Sequence, residues 1–378
     1  MRAHAVVAHG GGPTAVINAS LAGLIEEHRR RGGGLYGARH GLGGLLRGEL
    51  IDLLALDSDL VRRVGEAPGS ALGSSRLALA DDDYARLIEV FRRAEVHTFF
   101  YTGGNGSMDT ALRIAQHARE TRYELQVIGI PKTIDNDLCV TDHTPGYAST
   151  ARFFACAARD VGEDNRSLPS PVCVLETLGR NAGWIVAATS LARHDDDDAP
   201  HLIYFPERRL SLDRIAADVE RVYRRLGRVV VAVCEGQLDG DGQPFGADVD
   251  RAGSAAHRLA SNLGHTLARL LSEKLGIRAR AEKPGLLGRC CGLAVPLDRA
   301  EAFACGRAAA VAAEEGHTEV MIALRRDSST FLAPLESVAR VERLLPGEWI
   351  HPEGNDVTAA FRDYAAPLVG EVAGWPRL

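Results

Sequence analysis

Short apolar runs and longer amphipathic stretches alternate along the first 150 residues. "HAVVAH" (4–9) is almost uniformly apolar and predicts a buried strand. "TAVINASLAGLIEEHRRR" (14–31) places apolar residues at helical spacing and stops at Gly32, Gly33 and Gly34. The pattern then predicts a helix over "DYARLIEVFRRAEV" (83–96), a strand over "HTFFYTGG", a helix over "SMDTALRIAQHARE" and a strand over "LQVIGIPK". Strand, glycine turn and helix in repetition describe a parallel sheet covered by helices, an α/β fold whose ligands bind at the carboxyl ends of the strands.

The same grammar continues beyond residue 150. It predicts a helix over 149–161, a strand "PVCVLETLG" (171–179), a helix over "AGWIVAATSLAR", a strand "HLIYFP", a helix over 211–226, a strand "VVVAVCEG" (229–236) and a long helix over 254–275. A second α/β unit therefore spans roughly 148–285, and the tail from about 336 is weakly patterned, broken by Pro334, Pro346 and Pro352.

Composition narrows the class without choosing a function. A chain of 378 residues fits two domains of ordinary size, and a net charge of −6 with 25% charged residues implies neither a nucleic-acid nor a membrane partner. The N-terminal apolar stretch is too short for a signal peptide or a membrane span, so a cytoplasmic protein is expected. Seven cysteines without a CxxC pair argue against structural zinc and disulfides. The acidic run "HDDDDAP" (194–200) is expected to be a solvated loop rather than a metal site, because four consecutive carboxylates cannot converge on one ion.

Candidate chemistry gathers at strand ends. "HGGGPTAVIN" (9–18) and "YTGGNGSMD" (101–109) each run from a strand through glycines into a helix, where backbone N–H groups and the helix dipole suit an anion, and Ser107 is expected to cap the second helix. The next strand ends in "GIPKTIDND" (129–137), holding Lys132, one of only three lysines among 44 basic residues. Asp135 and Asp137, if extended, project on one side; one carboxylate suits a base for a substrate hydroxyl, the other Mg²⁺, and Lys132 suits phosphate charge. The same three residues also fit a helix cap and a surface ion pair. Arg76 after "APGSALGSS", Arg180 in "ETLGRNAG", Glu235 in "CEGQ" and Arg289 in "RARAEKPGLLGR" add cations and one carboxylate at other turns, a set that suits a phosphorylated polyol.

Taken in order, "GGPTAVIN", "PGSALGSSR", "TGGNGS", "GIPKTIDND", "TLGRNAG", "VCEG" and "KPGLLGR" resemble the phosphofructokinase family over about residues 1–310. The resemblance implies two three-layer α/β domains with mostly parallel central sheets and an active site in the cleft between them. Residues 1–147 with about 288–335 would form a donor-phosphate domain, 148–287 a sugar-phosphate domain, and 336–378 an extension of unknown role. It implies Asp135 as the base activating the sugar 1-hydroxyl, with Lys132 and Arg180 as the other catalytic residues. The donor would be held by Gly11, Arg76, Gly103, Gly104, Asn105, Gly106, Ser107 and Lys132. The acceptor would meet Thr133, Ile134, Asp135, Asp137, Leu178, Gly179, Arg180, Glu235, Arg280, Leu286 and Arg289. Asn105, Asp135 and Asp137 would hold Mg²⁺. Arg280 matches an arginine that bacterial members lend across a subunit interface, which implies a homodimer or homotetramer.

Several positions depart from the family. Asn105 replaces an aspartate that usually helps hold magnesium, and Leu178 replaces a methionine, a nearly volume-conserving change. Leu286 stands where a His or Tyr reaches the sugar phosphate, Gly288 replaces a glutamine, and Pro171 occupies the place of a second intersubunit arginine. Gly106 leaves room for a nucleotide while Lys132 is typical of diphosphate-dependent members; the "GGPTAVIN" and "SMDTA" segments favour diphosphate over ATP. The acceptor is expected to be fructose 6-phosphate or a related ketose phosphate such as sedoheptulose 7-phosphate. The alternatives are an ATP-dependent kinase of a different sugar, a catalytically silent sugar-phosphate sensor, and different chemistry on the same fold.

Overall fold

The computed structural model describes residues 4–168, 171–243, 245 and 262–376. Its strands are His4–His9 (β1), Leu35–Ala38 (β2), Leu50–Asp52 (β3), Val96–Gly103 (β4), Gln126–Pro131 (β5), Val172–Thr177 (β6), Leu202–Tyr204 (β7), Val229–Cys234 (β8), Ala279–Glu282 (β9), Val320–Leu324 (β10) and Thr330–Pro334 (β11). They form a seven-stranded sheet in the order β11-β10-β5-β4-β1-β2-β3 and a four-stranded sheet in the order β7-β8-β6-β9. Among the described strands only the pairs β2–β3 and β10–β11 are antiparallel. The chain divides accordingly into two units, Met1–Tyr147 with Arg289–Arg343 and Ala148–Gly288 with Leu344–Leu378.

Strand alternation builds the first unit's two cores. Val6 and Ala8 of β1, Phe99 and Tyr101 of β4, and Val127 of β5 face one helical layer with Leu87, Phe91 and Ile114. Ala5, Val7, Phe100, Ile128 and Ile130 face the other, packing on Leu21, Leu24 and Ile25 of helix Ile17–Arg31 and on Cys305 and Ala309 of helix Pro296–Glu314. A sheet buried on both faces has strands that read as continuous apolar runs, as these do. In the second unit Val172, Val174, Val229 and Val231 pack on helices Leu212–Leu226 and Leu263–Leu275, whereas Cys173 and Val230 turn to the opposite face.

Most predicted elements are present with shifted ends. The helix expected over 83–96 is Asp81–Arg93, because Ala94 closes it and Glu95 takes a positive φ of 51° before β4. "AGWIVAATSLAR" forms only the short helix Trp184–Ala188 and a 3₁₀ turn Thr189–Ala192. Of the helix expected over 254–275, Leu263–Leu275 is observed and 254–261 lie outside the described residues. The tail carries structure that its pattern did not announce: a helical turn Leu335–Val338 and a helix Ala359–Val369. Among the described residues no helix is long and apolar enough to cross a membrane.

Candidate active site

Three turns at the carboxyl ends of β1, β4 and β5 are joined by hydrogen bonds within the first unit. After β1, Gly11 has a φ of +77°, a conformation that favours glycine, and its N–H donates to Ser75 O at 2.9 Å. Ser74 Oγ donates to Gly11 O at 2.7 Å, so the 70–76 loop bearing Arg76 docks on this turn from both sides. Gly11, Gly12, Ser74, Ser75, Arg76 and Arg289 line a cavity of about 330 Å³ whose charged side chains are both guanidinium groups. That lining suits a multiply charged oxyanion.

Lys132 follows directly on β5 and is buried, which removes the surface ion-pair alternative. Its Nζ donates to Gly10 O and Gly12 O, each at 2.7 Å, so the ammonium fastens the glycine turn as well as charging it. Burial pulls its pKa down to about 8; Asp135 works against that shift, Arg76 and Arg289 reinforce it, and Asp137 opposes it more weakly. Arg76, Arg289, Asp135 and Asp137, named separately from sequence, thus all act electrostatically on one buried lysine.

The β4 turn differs from expectation at Ser107. Helix Asn105–Glu120 begins two residues earlier, with Gly104 at its N-cap position and no side-chain cap. Ser107 is instead buried, its hydroxyl hydrogen-bonded to the Tyr101 phenol. A Cβ added to Gly106 would meet nothing within 4 Å, so the space beside Asn105 is open.

The Asp135–Asp137 segment is not extended, because Asn136 between them has a positive φ of 54°. The simple alternation expected of the two carboxylates therefore does not apply. Asp135 N donates to Thr133 Oγ1 at 3.1 Å, closing a small turn, while Ile134 is buried. Asp137 accepts from Asn105 Nδ2 at 2.9 Å. Burial raises the Asp137 pKa, the Asn105 and Thr133 hydrogen bonds pull it back, and Glu342 adds to the rise. Asn105 Oδ1 and Asp137 Oδ1 are buried oxygens with no hydrogen-bond partner among the described residues. Oxygens of this kind fit a Mg²⁺ ligand set completed by donor phosphate and water. Among the described residues no cluster of three His, Cys, Asp or Glu side chains forms a complete metal cage.

In the second unit, β6 runs through Leu178 into Gly179, whose φ is +107°, and then Arg180. Glu235, just beyond β8, donates its N–H to Thr177 O at 3.0 Å, which sets the two strand ends side by side. A Cβ on Gly236 would lie 1.4 Å from Arg180 O, so glycine alone lets the two turns touch. Burial raises the Glu235 pKa, and Arg180 is the first charge to oppose it. Arg280 lies on β9 with its Nη1 3.5 Å from Asp164, half exposed. Leu286 is 65% exposed, while Gly288 is buried so close to the Phe154 ring that a Cβ there would lie 2.5 Å from it.

Sequence reading missed the scaffolding of the 133–137 turn. Thr144 Oγ1 donates to Thr133 O at 3.0 Å and its N–H to Asn136 Oδ1 at 3.1 Å. Gly146 N donates to the buried Asp298 Oδ1 at 2.7 Å, and buried His143 lies 2.9 Å from both Asp142 and Glu301. Asp298 and Glu301 come from a distant helix, and nothing local in their sequence marks them.

A family model described as phosphofructokinase matches residues 4–313. A pyrophosphate–fructose 6-phosphate 1-phosphotransferase of Rhodospirillum rubrum is 40% identical over 97% of this chain and 94% of its own. A sulfofructose kinase of Alkalicoccus urumqiensis is 32% identical, with 91% of each chain covered. The crystal structure of a pyrophosphate-dependent phosphofructokinase from Marinobacter aquaeolei superposes with a TM-score of 0.87 at 33% identity, covering 100% of this chain and 94% of the other.

Proposed function

The chain belongs to the phosphofructokinase family, and on that premise we propose that it transfers a phosphoryl group from diphosphate to the 1-hydroxyl of fructose 6-phosphate, releasing phosphate. The observation that carries this reading is the convergence of Arg76, Arg289, Asp135 and Asp137 on buried Lys132. Cations on a glycine turn neutralise a donor's charge, and a carboxylate one turn away accepts the hydroxyl proton as the oxygen attacks phosphorus. Phosphoryl transfer needs little more than such positioning and charge.

On this reading Gly11, Arg76, the 103–107 turn and Lys132 bind the donor, and Asp135 is the base, beside Thr133 and Ile134. Arg180, Gly179, Leu178 and Glu235 meet the acceptor, and Arg280 is offered to a neighbouring subunit of a homodimer or homotetramer. Mg²⁺ would be held by Asn105, Asp137 and Asp135 together with donor oxygens, and supplies charge neutralisation on the transferring group. Diphosphate is favoured by the activity for which the Rhodospirillum relative is named and by Lys132. Leu286, which cannot hydrogen-bond a phosphate, favours a second acceptor, a longer ketose phosphate such as sedoheptulose 7-phosphate.

Coupled assays with diphosphate and ATP against both sugar phosphates, with Mg²⁺ present, test the proposal. Turnover with diphosphate that falls at least ~10²-fold in Asp135→Ala supports it. Absence of turnover with every pair would overturn it in favour of a silent sensor.

A further inference from the structure

We propose that Arg343 is a positioning residue that clamps the Asp135–Asp137 turn in its working shape; this rests on the phosphotransferase reading of that turn. The region matched by the family model ends at residue 313, so the clamp lies outside it.

The turn cannot hold its shape by local preference. Asn136 and Val140 have φ values of 54° and 64°. Asparagine tolerates the left-handed region, but a β-branched valine there is an outlier that surrounding contacts must hold in place. The segment Val341–Arg343 makes those contacts. Leu138 and Glu342 form an antiparallel bridge, and Arg343 N donates to Asp137 O at 2.8 Å. The guanidinium then gathers three carbonyls of the turn: Nε donates to Asn136 O at 3.2 Å, and Nη1 to Thr141 O at 2.7 Å and also to Asp142 O.

Arginine is the side chain suited to this task. Its planar fork presents several donors at fixed angles, whereas a lysine concentrates three on one atom. The carbonyls it gathers flank Val140 on both sides in sequence. The consequence reaches the reacting groups through Asp137, whose carbonyl accepts from Arg343 N and whose carboxylate accepts from Asn105. Displacement of the turn by a fraction of an ångström would move both carboxylates relative to the donor while leaving the glycine turns and their cations in place. The expected signature is a loss in turnover with donor and acceptor binding retained.

Arg343→Met, compared with wild type, tests the clamp by two measurements. The first is steady-state kinetics with diphosphate, fructose 6-phosphate and Mg²⁺. We expect kcat to fall by about tenfold or more, with both KM values within about threefold, since small misplacements act mainly on the transition state. The second is amide hydrogen exchange, expected to accelerate in peptides covering 132–146 and to stay unchanged in those covering β4 and β6. Val140→Gly in the Arg343→Met background should recover part of kcat, because glycine takes the positive φ without strain. A kcat within about twofold of wild type, acceleration of exchange equally through β4, or no recovery with Val140→Gly would each overturn the proposal. If wild type shows no turnover, the functional reading fails by itself, and the exchange pattern still decides whether Arg343 holds the turn.

Discussion

Asn105 donates its side-chain amide to both the carboxylate and the carbonyl of Asp137, at 2.9 and 3.1 Å. A neutral donor thus stands beside a buried carboxylate at the position where the family usually has a second acid. Asn105→Asp would replace that hydrogen bond with like-charge repulsion, to be relieved by a cation or by protonation. Without Mg²⁺ the variant should be less stable by about 1–3 kcal/mol, the penalty for a buried polar group that loses its partner. With Mg²⁺ that loss should shrink, and half-maximal activity should need less metal. Denaturant melts with and without Mg²⁺, and metal titrations of activity, check this; an unchanged metal requirement would remove Asn105 from the ligand set.

One substitution separates, by readout, the structural role of Lys132 from its proposed role in donor binding. Lys132→Met leaves the carbonyls of Gly10 and Gly12 without their donor. Stability should therefore fall by about 1–3 kcal/mol, and the donor's KM should rise while the acceptor's changes little. The pH dependence follows from a folded pKa of about 8 against an ordinary value of 10.5. Activity that needs the ammonium should decline as pH rises through about 8. Stability should move the opposite way, rising between about 8 and 10.5, because there the unfolded chain binds the proton that the folded chain has released. A pH–rate profile without an alkaline limb near 8 would detach Lys132 from donor binding.

His143 gives the reverse dependence. Burial alone would lower its pKa, but hydrogen bonds and charges from Asp142 and Glu301 outweigh it and hold the imidazolium to about 9 against an ordinary 6.5. A group raised on folding stabilises fully below its unfolded pKa, and the contribution is lost as pH climbs through its folded one. Stability from this triad should be complete below about pH 6.5 and decay towards 9, by a few kcal/mol at about 1.4 kcal/mol per unit. His143→Gln should flatten that part of the profile in chemical melts. A slope identical to wild type would mean the imidazole is neutral in the folded state.

The parts legible in sequence were those with local causes. Uniform apolar runs revealed strands buried on both faces, and glycines with a charged neighbour revealed the strand-end turns, because each signal sits within ten residues. The left-handed Asn136, which breaks the alternation of Asp135 and Asp137, was not legible, since asparagine adopts several conformations and tertiary hydrogen bonds choose among them. Asp298, Glu301 and Arg343 were invisible for a related reason. Each reaches the 136–146 segment from a distant stretch of chain, and a carboxylate early in a helix or an arginine in an irregular tail looks like solvated surface until the fold is known. Lys132 could be singled out for its rarity, but not as a donor to two glycine carbonyls.

The two unusual residues after β9 call for different expectations. Leu286 is 65% exposed, so Leu286→Tyr should fold as well as wild type, within about 0.5 kcal/mol. Gly288 faces the Phe153 and Phe154 rings, which a Cβ would approach to 2.9 and 2.5 Å, so Gly288→Gln should destabilise by about 1–3 kcal/mol through overpacking. The family's glutamine therefore cannot be restored without repacking these phenylalanines, whereas its tyrosine can. On the proposed reading, a phenol at position 286 supplies the acceptor with a donor that leucine lacks. A lower KM for fructose 6-phosphate with kcat maintained would mean that the site takes this sugar and lacks one phosphate contact. A higher KM, with sedoheptulose 7-phosphate equally impaired, would mean that leucine borders a larger or less polar acceptor than either.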